Sequence, residues 1–397
     1  MDEFEFISAL TERFTRDGAA GAPWVDIGDD AAVLHADARP LVVSVDASVE
    51  GVHFLRDFAP AEDLGYRALM AAGSDLGAMG AEPESALLAL IIAPGTPRDW
   101  LLALVDGYAE GAEVCGLRVV GGNVSRGNAL SMTTTVLGRL PEGALPLRRQ
   151  GAQVGDDVYV SGPVGGAALG LAAIRAGTTD HSDATRECVR RWRRPCARLS
   201  VGAALRGLAT SAIDLSDGLL QDLTHVALAS GVGLELRLAD IPRVAGFAHV
   251  CAHHGLQPED TALTGGEDYE LAFTAPRAQR ERVHAAPRRL THWGGGGHPG
   301  CARAGRPGTH ARRERPRRLP PRVVAERPAG PCKTRVLGTR QLPRVVPVMW
   351  SATFWCGSLT SASGSAVTES TSAWPWLGLR GATGRSSVRL ATVARSS

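Results

Sequence analysis

What most limits how this chain can fold is a break in composition at Pro276. Residues 276–397 carry 21 Arg and one Lys against four Glu and no Asp, a net charge of +18, whereas residues 1–275 net −16. The tail runs through PRAQRERVHAAPRRLTHWGGGGHPG and turns rich in Ser, Thr, Ala and Trp past about residue 350, with no helical or strand period. Such a stretch offers no packable face. We read 276–397 as disordered or as the frameshifted product of a GC-rich gene. A basic nucleic-acid-binding segment is the competing reading, and without it no nucleic-acid partner is expected. The folding unit is sought in the first 275 residues.

That body is acidic, and the only lysine in the chain is Lys333. A P-loop lysine or a Schiff-base lysine is therefore excluded from it. The full 397 residues allow two or three domains with real cores. No apolar run reaches the roughly 18 residues of a membrane span, so no membrane partner is expected. MDEFEFISAL lacks the basic start of a secretion signal. The seven cysteines are scattered without a CxxC pair, which points to a reducing cytoplasm rather than a disulfide scaffold or a zinc site.

Periodicity places helices at 4–14, 61–79, 99–115, 165–176, 199–208 and 219–230. Strands are expected at 41–46, 87–92, 117–120, 130–140, 157–161, 211–214, 232–238 and 269–274. Alternation in two halves predicts an α/β (α+β) fold: an N-terminal domain over 1–148 and a C-terminal α/β domain over 149–275.

The chemistry signal is a series of carboxylates on glycine-flanked loops: Asp29-Asp30 in IGDDAAV, Asp46 in SVDASVEGVHF, Asp75 in GSDLGAMGA, Asp214 and Asp217 in AIDLSDGL, and Glu267-Asp268 in GGEDYEL. Any one of them alone is most simply a turn or a helix cap, and Asp217 could be no more than the N-cap of the helix at 219–230. As a set, they suit a hard cation with oxygen ligands, not zinc. Crowded carboxylates raise one another's pKa and repel phosphate. Magnesium between them and a polyphosphate removes both objections and points to phosphoryl transfer.

The ordered series IGDDAAV, SVD…GVHF, SDLGAMGA, GGN, AIDLSDGL and GGEDYEL closely resembles the thiamine-monophosphate kinase family over about residues 2–275. That family belongs to the aminoimidazole ribonucleotide synthetase superfamily. The resemblance implies a two-domain fold whose N-terminal sheets form a barrel in a homodimer. It implies ATP as co-substrate, thiamine monophosphate as acceptor, and several Mg²⁺ ions. Matched position by position, Asp30, Ser44, Asp46, Asp75, Asp214 and Asp217 fall on metal positions, with Asp30, Asp46, Asp75 and Asp214 bearing the catalysis. Gly122, Arg149 and Ser216 fall on nucleotide contacts, and His53 and Glu267 on substrate contacts. A phosphate acceptor is already largely ionised near neutral pH, so the reaction requires no general base.

The chain departs from the pattern twice. Asn123 stands in GGN where the family has aspartate, leaving a neutral oxygen as the metal ligand. The motif series also ends at Leu271-Ala272-Phe273-Thr274, so the C-terminal domain is expected to be incomplete. The alternatives are another ATP-dependent synthetase of the superfamily, or a catalytically impaired nucleotide-binding protein with a basic nucleic-acid-binding tail. Two further features have plainer readings. Gly162–Gly166 could bind phosphate at a helix start, but close helix packing is simpler. Arg190, Arg191, Arg193 and Arg194 could steer ATP, but a solvated basic face is simpler.

Overall fold

The computed structural model describes residues 3–14, 23, 25–27, 31–290 and 387–390. These all belong to one compact unit spanning Met1–Ala325 and Ser386–Ser397. Asp29 and Asp30 lie outside the described residues.

The first half is α1 (Glu3–Phe14), β1 (Leu41–Val49), α2 (Ala61–Ala78), β2 (Glu82–Ile92), α3 (Arg98–Cys115), β3 (Arg118–Arg126) and β4 (Ser131–Arg139). Its four-stranded sheet has the order β1-β4-β2-β3. β2 and β3 run parallel, as a helical crossover between them demands, and the other pairs are antiparallel. α2 is buried almost all round, which marks it as a core helix. It packs so tightly on α3 that a Cβ at Gly65 or Gly107 would strike the backbone of the facing helix. Leu69, Met70, Leu101 and Tyr108 fill the core between the two helices and the sheet.

The second half is β5 (Asp157–Val160), α4 (Gly166–Arg175), α5 (Asp183–Arg193), α6 (Leu199–Leu205), β6 (Ser211–Asp214), α7 (Leu219–Ser230), β7 (Leu234–Arg237), α8 (Phe247–His253), α9 (Pro258–Thr264), β8 (Leu271–Ala275) and α10 (Arg280–Leu290), with β9 (Ser387–Leu390) at the far end. β8 lies between β5 and β6, antiparallel to both, and every one of its residues is buried. β9 pairs with β7. The α/β arrangement expected from the alternating pattern is present.

Neither α8, α9 nor β9 was foreseen, and three further departures matter more. The charged stretch at 178–198 contains α5, whose Trp192 is fully buried in the first half's core. The strand expected to end at Gly121-Gly122-Asn123 continues to Arg126. The tail expected to lack structure from Pro276 begins with α10, whose Val283 and Ala286 pack with Tyr159 and Phe273. These two apolar residues share one helical face, but the surrounding arginines hid them. Arg277 and Arg280 both pair with the buried Asp157, which fixes this helix to β5.

Candidate functional site

Period-2 alternation along β1 sends Val43 and Val45 outward and Ser44 and Asp46 toward α2. Asp75 stands in the last turn of α2, where it accepts a hydrogen bond from the Ser44 hydroxyl. The residue before it, Ser74, donates to Asp214 Oδ2 at 2.9 Å. Asp214 is the last residue of β6 and is buried. Adjacent positions on one helix thus reach a carboxylate-bearing strand end in the second half and a strand of the first sheet. Three acidic motifs far apart in sequence converge here.

The electrostatics record the crowding. Burial pushes Asp46 up to about 6, and the Asp75 charge adds to it. Burial also raises Asp75. Asp214 rises to about 7, first from burial and then from the neighbouring Asp75, while Arg149 offsets part of this in both residues. The ligand atoms are all oxygens whose negative charge is only partly offset by Arg149, which fits a hard divalent cation. Among the described residues, no three His, Cys, Asp or Glu side chains stand close enough to cage an ion alone.

Beside Asp214 the chain turns through Ser216-Asp217-Gly218 into α7. Asp217 is exposed, and its carboxylate accepts from Gln221 Nε2 at 2.9 Å. It is not the helix cap considered above. Asp222, inside the first turn of α7, accepts from the backbone N–H of Asp217 and of Gly218 at 3.2 Å each. Burial, then Asp217 and Asp214, push Asp222 up to about 7. Arg149 is an exposed side chain within electrostatic reach of Asp75 and Asp214.

The GGEDYEL acids divide their work. Glu267 faces Arg67 of α2, with Oε1 2.7 Å from Nη2. Asp268 is buried and caps α4, accepting from the N–H of Gly165 at 2.5 Å and of Ala167 at 3.0 Å. Glu270 is fully buried and pairs with Arg198 and Arg191. His53 accepts the Val49 N–H at Nδ1, 2.9 Å away, and burial lowers its pKa. Its ring feels the charges of Glu267 and Arg67.

Gly122 and Asn123 stand apart from this group within one chain. Asp46, Thr134, Leu88 and Gly122 form one row across the sheet. Three strand spacings separate its ends, about 14 Å. Asn123 is in the next row, with Ala47, Thr133 and Ala89, on the other face. Sequence reasoning missed Arg67, Trp192 and Asp222. Arg67 was legible as the one cation inside the small, apolar run of α2; Trp192 was hidden among arginines. The start of α4 is taken by Asp268, and a Cβ at Gly170 would collide with the Cys188 carbonyl of α5, so close packing accounts for the glycines there. The 190–194 arginines pair with Glu187, Glu270, Asp63 and Glu110, or donate to the Phe58 carbonyl, rather than forming a solvated face.

Comparison with known proteins gives this arrangement a family. AIR synthase related protein, N-terminal domain, matches residues 28–140, and AIR synthase related protein, C-terminal domain, matches residues 153–292. The thiamine-monophosphate kinase of Escherichia coli (strain K12) is 42% identical over 266 residues, 66% of this chain and 79% of the relative. The chain belongs to the thiamine-monophosphate kinase family. The crystal structure of thiamine-monophosphate kinase from Stenotrophomonas maltophilia K279a is 36% identical with a TM-score of 0.64, covering 73% of this chain and 91% of that one. A structure of AaThiL complexed with AMPPCP and TMP is 30% identical with a TM-score of 0.58, covering 70% and 86%. The C-terminal match corrects one expectation: likeness to the AIR synthase related C-terminal domain continues past Thr274, through α10. Among the described residues, no helix is long and apolar enough to cross a membrane.

Proposed function

We propose that this chain transfers the γ-phosphoryl group of ATP to thiamine monophosphate, giving ADP and thiamine diphosphate, with Mg²⁺ as cofactor. One observation carries the reading: Ser44 and Ser74 bring β1, Asp75 and Asp214 together, with Asp46 and Arg149 within electrostatic reach. The family's AMPPCP and TMP complex supports the two substrates.

Asp46, Asp75 and Asp214 would hold the metal, with Ser44 and Asp217 beside them and Asp30 added from the resemblance. Bound magnesium would supply the positive charge that lets two polyanions approach. Arg149 offers a forked donor to a phosphate. Ser216, between Asp214 and Asp217, would contact the nucleotide. His53 and Glu267 face the acceptor. The acceptor oxygen is already ionised, so the residues orient and neutralise rather than remove a proton.

The working unit is proposed to be a homodimer located in the cytoplasm. The sheet's outer face exposes Leu41, Val43 and Val45, and among the described residues both edges of the sheet are unpaired. Closing β1 of one copy onto β3 of another would bring the strand that carries Asn123 beside the strand that carries Asp46.

The test is a coupled ADP-release assay with thiamine monophosphate and Mg²⁺, with thiamine diphosphate identified as product. ADP release that ignores the acceptor, or an acceptor other than a phosphate monoester, defeats the proposal.

A further inference from the structure

We infer that Arg67 is a positioning residue for the acceptor side of the site, holding the Glu267 carboxylate together with Trp192; this rests on the reading of Glu267 as a substrate contact. Arg67 lies in the middle of α2 and is only 7% exposed. Burying a guanidinium is costly unless it is paired and hydrogen-bonded. Its partners therefore show what it is for.

Arg67 Nη2 is 2.7 Å from Glu267 Oε1, and Nη1 donates to the Trp192 backbone carbonyl. The guanidinium also stacks over the Trp192 indole, 4.5 Å from the ring centroid. Trp192 Nε1 in turn donates to the other carboxylate oxygen, Glu267 Oε2, at 2.6 Å. Each oxygen of Glu267 is thus gripped by a different arm of one Arg–Trp stack. A planar fork lying on an aromatic face is the stiff version of such a grip.

The backbone needs this support. Glu267 has φ 69° and Tyr269 φ 51°, both left-handed and neither a glycine. Such strain persists only where the surroundings over-determine it. The Glu267 N–H donates to the Ser216 carbonyl at 2.7 Å and the Tyr269 N–H to the Leu215 carbonyl at 2.9 Å, which ties this loop to the turn after Asp214. Those bonds fix the backbone, and Arg67 and Trp192 fix the side chain. Glu267 is left 25% exposed, beside His53.

A bare tie between the two halves would not require this arrangement. Arg194 already joins Asp63 and Glu110, and Arg206 already donates to the Gly80 carbonyl at 2.7 Å. What the Arg67 pair adds is the aim of one carboxylate at the site.

The experiment is calorimetric titration of the full chain with thiamine monophosphate in the presence of Mg²⁺ and a non-hydrolysable ATP analogue. The nucleotide analogue is titrated separately. Arg67→Gln and Glu267→Gln should each weaken acceptor binding about tenfold or more, as loss of a charge-assisted bond predicts. The double variant should bind no worse than the weaker single, and nucleotide affinity should change much less than acceptor affinity because the contacts of Arg67 and Glu267 are with each other and with Trp192. Arg67→Lys, which keeps the cation but loses the fork, should fall between. Trp192→Phe, which keeps an aromatic face but loses the N–H, should cost about threefold.

If Glu267→Gln weakens acceptor binding while Arg67→Gln and Arg67→Lys do not, the inference about Arg67 is overturned and the reading of Glu267 stands. If the two single losses simply add, Arg67 does not act through Glu267 and the inference fails. If Glu267→Gln has no effect, or the unaltered chain binds no acceptor, the underlying reading of the site fails.

Discussion

Glu270 is the most demanding test of how the second half is held together, because it is a fully buried acid whose charge is kept. Its carboxylate accepts from Arg198 Nε at 2.7 Å and from Arg198 Nη2, takes the Ser161 hydroxyl at 2.5 Å, and lies 3.5 Å from Arg191 Nη1. Burial pushes its pKa up, but Arg198, Arg191 and Ser161 more than offset that and leave it below the ordinary carboxylate value. Glu270→Ala strips the partner from Arg198, whose side chain is 15% exposed. Breaking a buried pair on one side costs about 4 kcal/mol, or about 10 °C in Tm for a unit of this size. Glu270→Gln keeps the shape but removes the charge and should cost about half as much.

The sign with pH follows. A depressed folded pKa contributes stability above the unfolded value, and that contribution is lost as pH falls through the folded pKa. The gap between the unaltered chain and Glu270→Gln should therefore be full at pH 6–7, where other groups titrate equally in both, and should shrink below the ordinary value of 4.5. Thermal unfolding followed by far-UV circular dichroism from pH 3 to 7 measures it. A Glu270→Ala protein that melts with the unaltered one, or a gap that does not change with pH, would refute the argument.

Other outcomes follow from the acidic cluster. The folded pKa values of Asp46, Asp214 and Asp222 are raised to about 6, 7 and 7, so metal-free protein has their stability in full below about pH 4 and loses it as pH climbs toward 7. Added Mg²⁺ should then raise Tm more at pH 7.5 than at pH 5, which differential scanning fluorimetry reads directly. Asn123→Asp restores a charged ligand and should lower the Mg²⁺ concentration needed for half-maximal ADP release; an unchanged titration would place residue 123 away from the metal.

Much of this was legible in the sequence because the signals were local. The strand ending in Asp46, the run SDLGAMGA and the turn LSDG each join an element boundary to a carboxylate, and the contacts among Ser44, Asp75, Ser74 and Asp214 are what the motif series leads one to expect. What stayed hidden depends on long-range pairing. Nothing near GGEDYEL announces that Asp268 caps a helix about a hundred residues earlier, or that Glu270 meets Arg198. The arginines at 190–194 read as a solvated face because three of their acidic partners, Asp63, Glu110 and Glu270, lie elsewhere in the chain. α10 was lost for the same reason: two buried apolar residues among arginines make a faint period, and the packing surface that rewards them comes from β5 and β8.

The central claim is that acidic groups from distant segments gather to let two anions react, and initial-rate measurements of Asp75→Asn and Asp46→Asn across a magnesium titration test it most directly. Loss of most of kcat in both, with the fold intact by circular dichroism, is the expected result. Turnover equal to that of the unaltered chain in either variant, at the same magnesium requirement, would contradict it.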